Sequence, residues 1–392
     1  MEKLEEYRRK KEEAQQRKEK REKNFSKLII VFMAVVVLGA AVYFFCVNGG
    51  WSYFKKGEDA VFNQETEGRF ELSSSDGGIY KTYGDLMLAC DKNEICAYNA
   101  DGKVQWRLSI VTSDPIVDVC EKYVLVADRG GKSVYIIKNG KKMLEYETAY
   151  SIANASVNRY GSFVTITEED SFKNLVCVRN ITGKEFFTWH SANSYIIDAA
   201  ISDDEASVMM SVLATHIQPD GTREYKSGVK LFDMNKAEEI SNTEFDDSIA
   251  ASVMYNGSDY VVLTNKSAIR YDEKGKEKKR FDFEGVCGKY ALDNGKLLLV
   301  TTGNNYKNTL IMLDKNLSLD AKKEIDVSVD AIDLDTGVVA YLTGDEIYMC
   351  KSNFDVRYRI KTDKLYTDIE LFTRGKRVLG AKNDELAVIK AN

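Results

Sequence analysis

The sequence predicts an all-β fold, an eight-bladed β-propeller with seven blades as the rival count, set behind a charged N-terminal helix and one transmembrane helix. Three observations predict it. An uncharged apolar run fills residues 28–47. From about residue 70, short Val/Ile/Leu/Tyr-rich segments alternate with Gly, Asn and Asp turns, and the chain holds only Pro115 and Pro219; such a composition suits sheet and argues against disorder. The turns recur at about 40 residues, the length of one four-stranded blade.

Residues 1–27 read as a charged helical arm. Glu5 and Arg9, Glu6 and Lys10, Glu13 and Arg17, and Glu19 and Lys23 are acid-first pairs four residues apart, the favourable order on a helix. Leu4 and Tyr7 are almost its only apolar residues, so no coiled-coil seam is visible. The run 28–47 is long enough to cross the hydrocarbon core as a helix. Trp51, Tyr53 and Phe54 follow it as an interfacial aromatic belt. A cleaved signal peptide has a shorter apolar core, and Cys46 follows Phe44 and Phe45 rather than the small residues of a lipoprotein signal. Lysines and arginines crowd the side before the span, while only Lys55 and Lys56 lie soon after it. The arm is therefore expected in the cytoplasm and everything from about residue 48 outside it.

Residues 48–68 form a juxtamembrane linker and 69–392 the propeller. Residues 1–46 carry eleven Lys/Arg and seven Glu, a net of +4; the whole chain is −6, which leaves −10 for the remainder. An acidic domain without a basic cluster excludes a nucleic-acid partner. Eight units are expected to begin near Ile79, Ile116, Ile152, Tyr195, Ile249, Cys287, Val327 and Leu365. The last holds only three strands, near 366–372, 377–382 and 385–390. Arg69–Ser74 is expected to supply its outer strand, which closes the ring and removes an aggregation-prone edge.

The segment Ile95–Trp106, with Ala100-Asp101-Gly102-Lys103 before Trp106, resembles the repeat of quinoprotein-like propellers. Leu175–Trp189, with Gly183-Lys184 before Trp189, is a weaker copy. The resemblance implies that each Trp docks between blades. It does not extend to that family's cofactor site: no adjacent cysteine pair is present, and no carboxylate cluster maps onto the calcium-binding set. The layout as a whole is similar to a family of membrane-anchored propellers from Gram-positive bacteria whose function is unknown. That likeness implies a cell-membrane location, and the bilayer is the first partner.

Little in the chain suggests chemistry. His190 and His216 fall in different units, with no His or Cys pair at metal-ligand spacing and no Gly-x-Ser-x-Gly elbow. Cys96 and Cys177 each stand six residues before a turn glycine, a recurring position that favours free, core-packed thiols over a Cys90–Cys96 bond. Asp118, Asp198, Asp330 and Asp368, with Asn154 in the equivalent place, lie near the starts of inner strands. They are read either as an acidic series at a channel mouth or as carboxylates that satisfy backbone N–H groups. The second-to-third hairpins are long in three units: 168–174, 302–308 and the extended pair 208–218 and 222–232. These should rise as a rim, with Phe172, His216, Tyr225 and Tyr306 as exposed aromatic candidates for partner binding. The five Asn-x-Ser/Thr sequences, at Asn154, Asn180, Asn256, Asn265 and Asn316, are glycosylation acceptors only in a eukaryotic secretory setting.

No cofactor is expected. The leading expectation is a non-enzymatic binding or scaffold module of the cell envelope that takes a protein or polymer partner. A ligand-binding sensor signalling through the helix, and a quinoprotein-like oxidoreductase, are the alternatives.

Overall fold

The computed structural model describes residues 65–71 and 78–390, except 219, 304–305, 363–365, 373 and 383–384. The charged arm 1–27, the apolar run 28–47 and residues 48–64 of the linker lie outside them. Among the described residues no helix is long and apolar enough to cross a membrane.

Thirty-two described strands form eight antiparallel four-stranded sheets. Blade 1 shows the plan, with Ile79–Tyr83, Leu86–Cys90, Glu94–Tyr98 and Val104–Ser109 running from the centre outward. The inner strands of blades 2 to 8 are Pro115–Cys120, Ile152–Val157, Ser194–Ile201, Ala250–Asn256, Val286–Asp293, Ala331–Asp335 and Asp368–Phe372. Eight blades, not seven, complete the ring. Blade 8 borrows its outer strand from the other end of the chain: Glu65–Glu71 pairs antiparallel with Glu385–Lys390, with Phe70 opposite Leu386. That strand lies slightly earlier than the expected 69–74.

Burial is greatest in the second strands and falls both toward the channel, where Val286–Asp293 is only half-buried or exposed, and toward the rim. Second strands such as Tyr123–Asp128 and Val338–Thr343 are buried throughout, and outer strands such as Val104–Ser109 alternate between half-buried and exposed. The apolar residues group into eight clusters, each joining two neighbouring blades. One unites Leu88, Ile95 and Ala97 of blade 1 with Val124, Val126 and Ile137 of blade 2. Another unites Phe372, Leu379 and Val388 of blade 8 with Met87 and Cys96 of blade 1. Each fully buried Leu, Ile or Val contributes about 1.5–3 kcal/mol, so no blade is stable without its neighbours.

The turns explain the period. Asn99, Asn180, Asp272 and Asp314 each open a third-to-fourth strand turn. In each, the side-chain Oδ1 accepts the backbone N–H two and four residues on, at 2.8–3.1 Å. The residue between those donors is left-handed: Gly102, Gly183, Gly275 and Leu317, at φ 75°, 80°, 72° and 56°. An Asx side chain thus builds the turn that glycine permits. The implied tryptophan docking is present. A Cβ on Gly140 of blade 2 would meet the Trp106 ring at 2.6 Å. Trp189 of blade 3 packs on Phe232 of blade 4, ring centroids 5.0 Å apart.

Cys90 and Cys96 point to opposite faces of blade 1, one into each flanking cluster. All six described cysteines are free. Burial pushes the thiols of Cys90, Cys120, Cys177 and Cys350 up to about 12, which keeps them protonated and unreactive.

Candidate binding face and central channel

The eight inner strands surround a channel, and charged residues line it at mid-strand. Asp118 of blade 2 accepts the Val157 N–H of blade 3 at 2.8 Å. Asp333 of blade 7 accepts the Leu371 N–H of blade 8 at 2.5 Å. Asp198 of blade 4 does the most. One carboxylate oxygen takes the Ala199 N–H at 3.0 Å and the Asn154 Nδ2 of blade 3 at 3.2 Å. The other takes the Val253 N–H at 3.0 Å and the Ser252 hydroxyl at 2.7 Å, both from blade 5. Each aspartate therefore reaches forward and clasps the next inner strand. Asp293 and Asp335, beside the first hairpins, do the same for the N–H groups of Thr336 and Gly375.

Burial pushes the Asp198 carboxyl up to about 6, helped by the like charge of Asp118. Asp118 and Asp368 are also raised by burial, opposed in both by Lys81. At the closure between blades 8 and 1, Lys81 binds Glu370 at 2.7 Å. Burial raises both Asp333 and Glu370; the adjacent Glu370 adds repulsion at Asp333, and Asp368 adds it at Glu370, where Lys81 opposes. Burial pulls the Lys81 ammonium down, but Glu370, Asp368 and Asp333 outweigh it and its affinity for the proton is raised.

Of the predicted acidic series, the structure brings Asp118, Asp198 and Asp368 to the channel wall. Asp330 is elsewhere. It precedes the inner strand of blade 7, is exposed, and accepts the Gly344 N–H at 2.7 Å. The channel carboxylate of that blade is Asp333, because the strand begins at Ala331 rather than near Val327. Lys81, Asp333 and Glu370 are the members sequence reasoning missed. Each is the third residue of its inner strand, a mid-strand polar position that alternation alone leaves unmarked.

Blade-to-blade loops and second-to-third hairpins share one face. Phe172, His216, Tyr225 and Tyr306 all stand on it and are exposed. The hairpin of blade 4 is the tallest. Ser207–Ile217 and Arg223–Asp233 stay paired up to Ile217 and Arg223, while the flanking strands stop pairing at Ala214 and Ser227. The turn ends on Gly221 at φ 83°, whose N–H bonds the Gln218 carbonyl at 2.9 Å. In blade 3 the strands extend to Glu169 and from Phe172, so the expected long loop shrinks to two residues. There Phe172 packs on His190, centroids 4.9 Å apart, and His190 Nδ1 meets Glu169 at 2.7 Å. Among the described residues no three His, Cys, Asp or Glu side chains converge as a metal site.

The fold is similar to that of two solved propellers. BamB from Moraxella catarrhalis aligns over 84% of this chain and 100% of its own at 10% identity, TM-score 0.55. Sqt1 from Saccharomyces cerevisiae aligns over 84% and 100% at 8% identity, TM-score 0.59. No curated protein matches the sequence. Residues 60–390 match DUF5711, a family of unknown function, and the chain belongs to that family.

Proposed function

We propose that the chain is a single-pass cell-membrane protein whose propeller, outside the cytoplasm, binds an envelope partner and catalyses no reaction. The apolar run 28–47 and the basic residues before it support the tether and its direction. One observation carries the binding reading. Five exposed large apolar side chains sit on outer strands, and Tyr160 on the opposite face. All the others among the described residues lie on the hairpin face or the channel wall. Apolar side chains scattered singly need no explanation, but a gathering on one face marks an interaction surface. Phe172, Tyr225 and Tyr306 are the aromatic anchors there, and a rigid ring holds the loops that present them.

The test is co-purification of envelope proteins with the full-length chain, against a variant with residues 214–226 replaced by Asn-Gly. Leu213 faces Ser227 in the register, so a two-residue turn joins them directly. Capture should disappear while the melting temperature stays nearly unchanged. Equal capture by both chains would sink the rim reading.

A further inference from the structure

Building on the binding reading above, we infer that the arc of the hairpin face over blades 4 to 6 receives a basic amphipathic segment of a partner protein. The blade-to-blade loops carry Asp114, Asp246, Asp247, Glu284, Asp326 and Asp330, and no Lys or Arg among their described residues. Over three consecutive junctions each acid stands beside an exposed aliphatic residue. Asp246 and Asp247 precede Ile249, Glu284 precedes Val286, and Asp326 precedes Val327, with the three aliphatics 45%, 55% and 55% exposed.

The blade 4 hairpin walls one end of this arc. Met209 packs in the cluster shared with blade 5, and strand alternation puts Ile217 on the same side. Tyr225 faces Thr215 across the hairpin and joins them. Tyr306, the most exposed of the large apolar side chains among the described residues, stands at the blade 6 end. Among the described residues, the ion pairs to these acids come from the neighbouring hairpins: Lys266 meets Asp247 at 2.5 Å and Lys307 meets Asp326 at 2.8 Å. Those two carboxylates remain 89% and 81% exposed, so the pairs are solvated and weak. Asp246 and Glu284 make no ion pair among the described residues.

This pattern selects the partner by chemistry. A polyanionic polymer or an anionic lipid surface meets like charge. A neutral apolar segment would leave desolvated carboxylates unpaired. A segment that alternates basic and apolar side chains satisfies both halves of each junction. Its apolar contacts supply affinity, and its charge supplies orientation and speed of encounter.

The test uses the full-length chain in zwitterionic nanodiscs, with empty discs subtracted. Three probes are compared: a Lys-Leu repeat peptide, a Lys-Ser peptide and a Glu-Leu peptide. The Lys-Leu peptide should bind at least about tenfold tighter than either control. The double variant Asp246→Lys, Glu284→Lys should weaken it by at least about tenfold. Its melting temperature should hold, since neither acid is paired. Ile249→Ser with Val286→Ser should do likewise, and added salt should weaken the wild type. Equal binding of the Lys-Ser or Glu-Leu peptide overturns the inference, as does a folded charge-reversal variant that binds like wild type. Envelope-partner capture in cells separates the two readings. Capture that survives charge reversal overturns the basic segment and leaves the platform standing. A wild type that captures nothing removes both.

Discussion

Replacing Asp198 with Asn tests whether the channel clasps hold charge against burial. The Asp198 carboxyl sits at about 6 in the folded chain, against an ordinary value of 3.8, chiefly because burial disfavours its charged form. The sign follows. The folded chain holds this proton more tightly than the unfolded chain, so stability rises as pH falls from above 6 toward 4 and is lost as pH climbs back. A gap of about two pH units corresponds to about 3 kcal/mol. Asparagine cannot titrate, and like the protonated acid it keeps one accepting oxygen of the two. The difference in stability between Asp198→Asn and wild type should therefore move by about 3 kcal/mol in the variant's favour between pH 4 and pH 7. A domain spanning residues 65–390 unfolds with an entropy of about 0.7 kcal/mol/K, so the movement is about 4 °C in Tm. Thermal melts at half-unit steps from pH 4 to pH 7.5 measure it. A difference that stays constant across that range would refute the reasoning, because Asp198 would then titrate alike folded and unfolded.

Other perturbations probe the closure, the docking and the topology. Lys81→Met leaves Glu370 and Asp333 without their cation; it should cost about 2–4 kcal/mol near pH 8 and distinctly less near pH 5, where the raised carboxyls accept protons instead, and urea melts at the two pH values measure it. Gly140→Ala forces a side chain into a left-handed position, φ 71°, 2.6 Å from the Trp106 ring; it should cost about 1–2 kcal/mol from the backbone alone and shift tryptophan emission to the red, and an unchanged spectrum would mean that Trp106 is not docked there. Protease added to intact protoplasts should cut near the propeller and spare residues 1–27, whereas a protected C-terminus reverses the proposed orientation.

The ring was legible where local chemistry repeats. Asn99, Asn180, Asp272 and Asp314 build the same turn with the same two backbone bonds, so the blade period stands in the sequence as spaced Asx and Gly residues. Inner-strand starts agreed to within one residue in six of eight blades for the same reason. They slipped in blade 7, where Val329 is buried yet precedes the strand, and in blade 8, where the strand begins at Asp368 rather than Leu365. An apolar residue marks burial, not pairing, and neither slip leaves a local signal. The channel charges were half legible. An aspartate at mid-strand is visible in one blade, but its partner is a backbone N–H roughly one blade further on. That acceptor has no residue type, so Val157, Val253 and Leu371 could not be named from the sequence. Lys81 and Glu370 were hidden more deeply, since they meet only when the two ends of the chain close the ring.

The two sets of carboxylates divide structure from recognition. In the channel, Asp118, Asp198 and Asp333 are each engaged by an N–H group of the next blade, and Glu370 by Lys81. Those contacts hold neighbouring blades together. On the hairpin face, Asp246 and Glu284 make no ion pair among the described residues, and Asp247 and Asp326 pair there with solvated lysines. Removing a channel carboxylate orphans a buried donor, at about 1–3 kcal/mol. Removing Asp246 or Glu284 orphans no donor among the described residues, and its effect on stability should fall within about 0.5 kcal/mol. Asp246 and Glu284 therefore contribute almost nothing to the fold, and beside Ile249 and Val286 their physical consequence falls on whatever approaches that face.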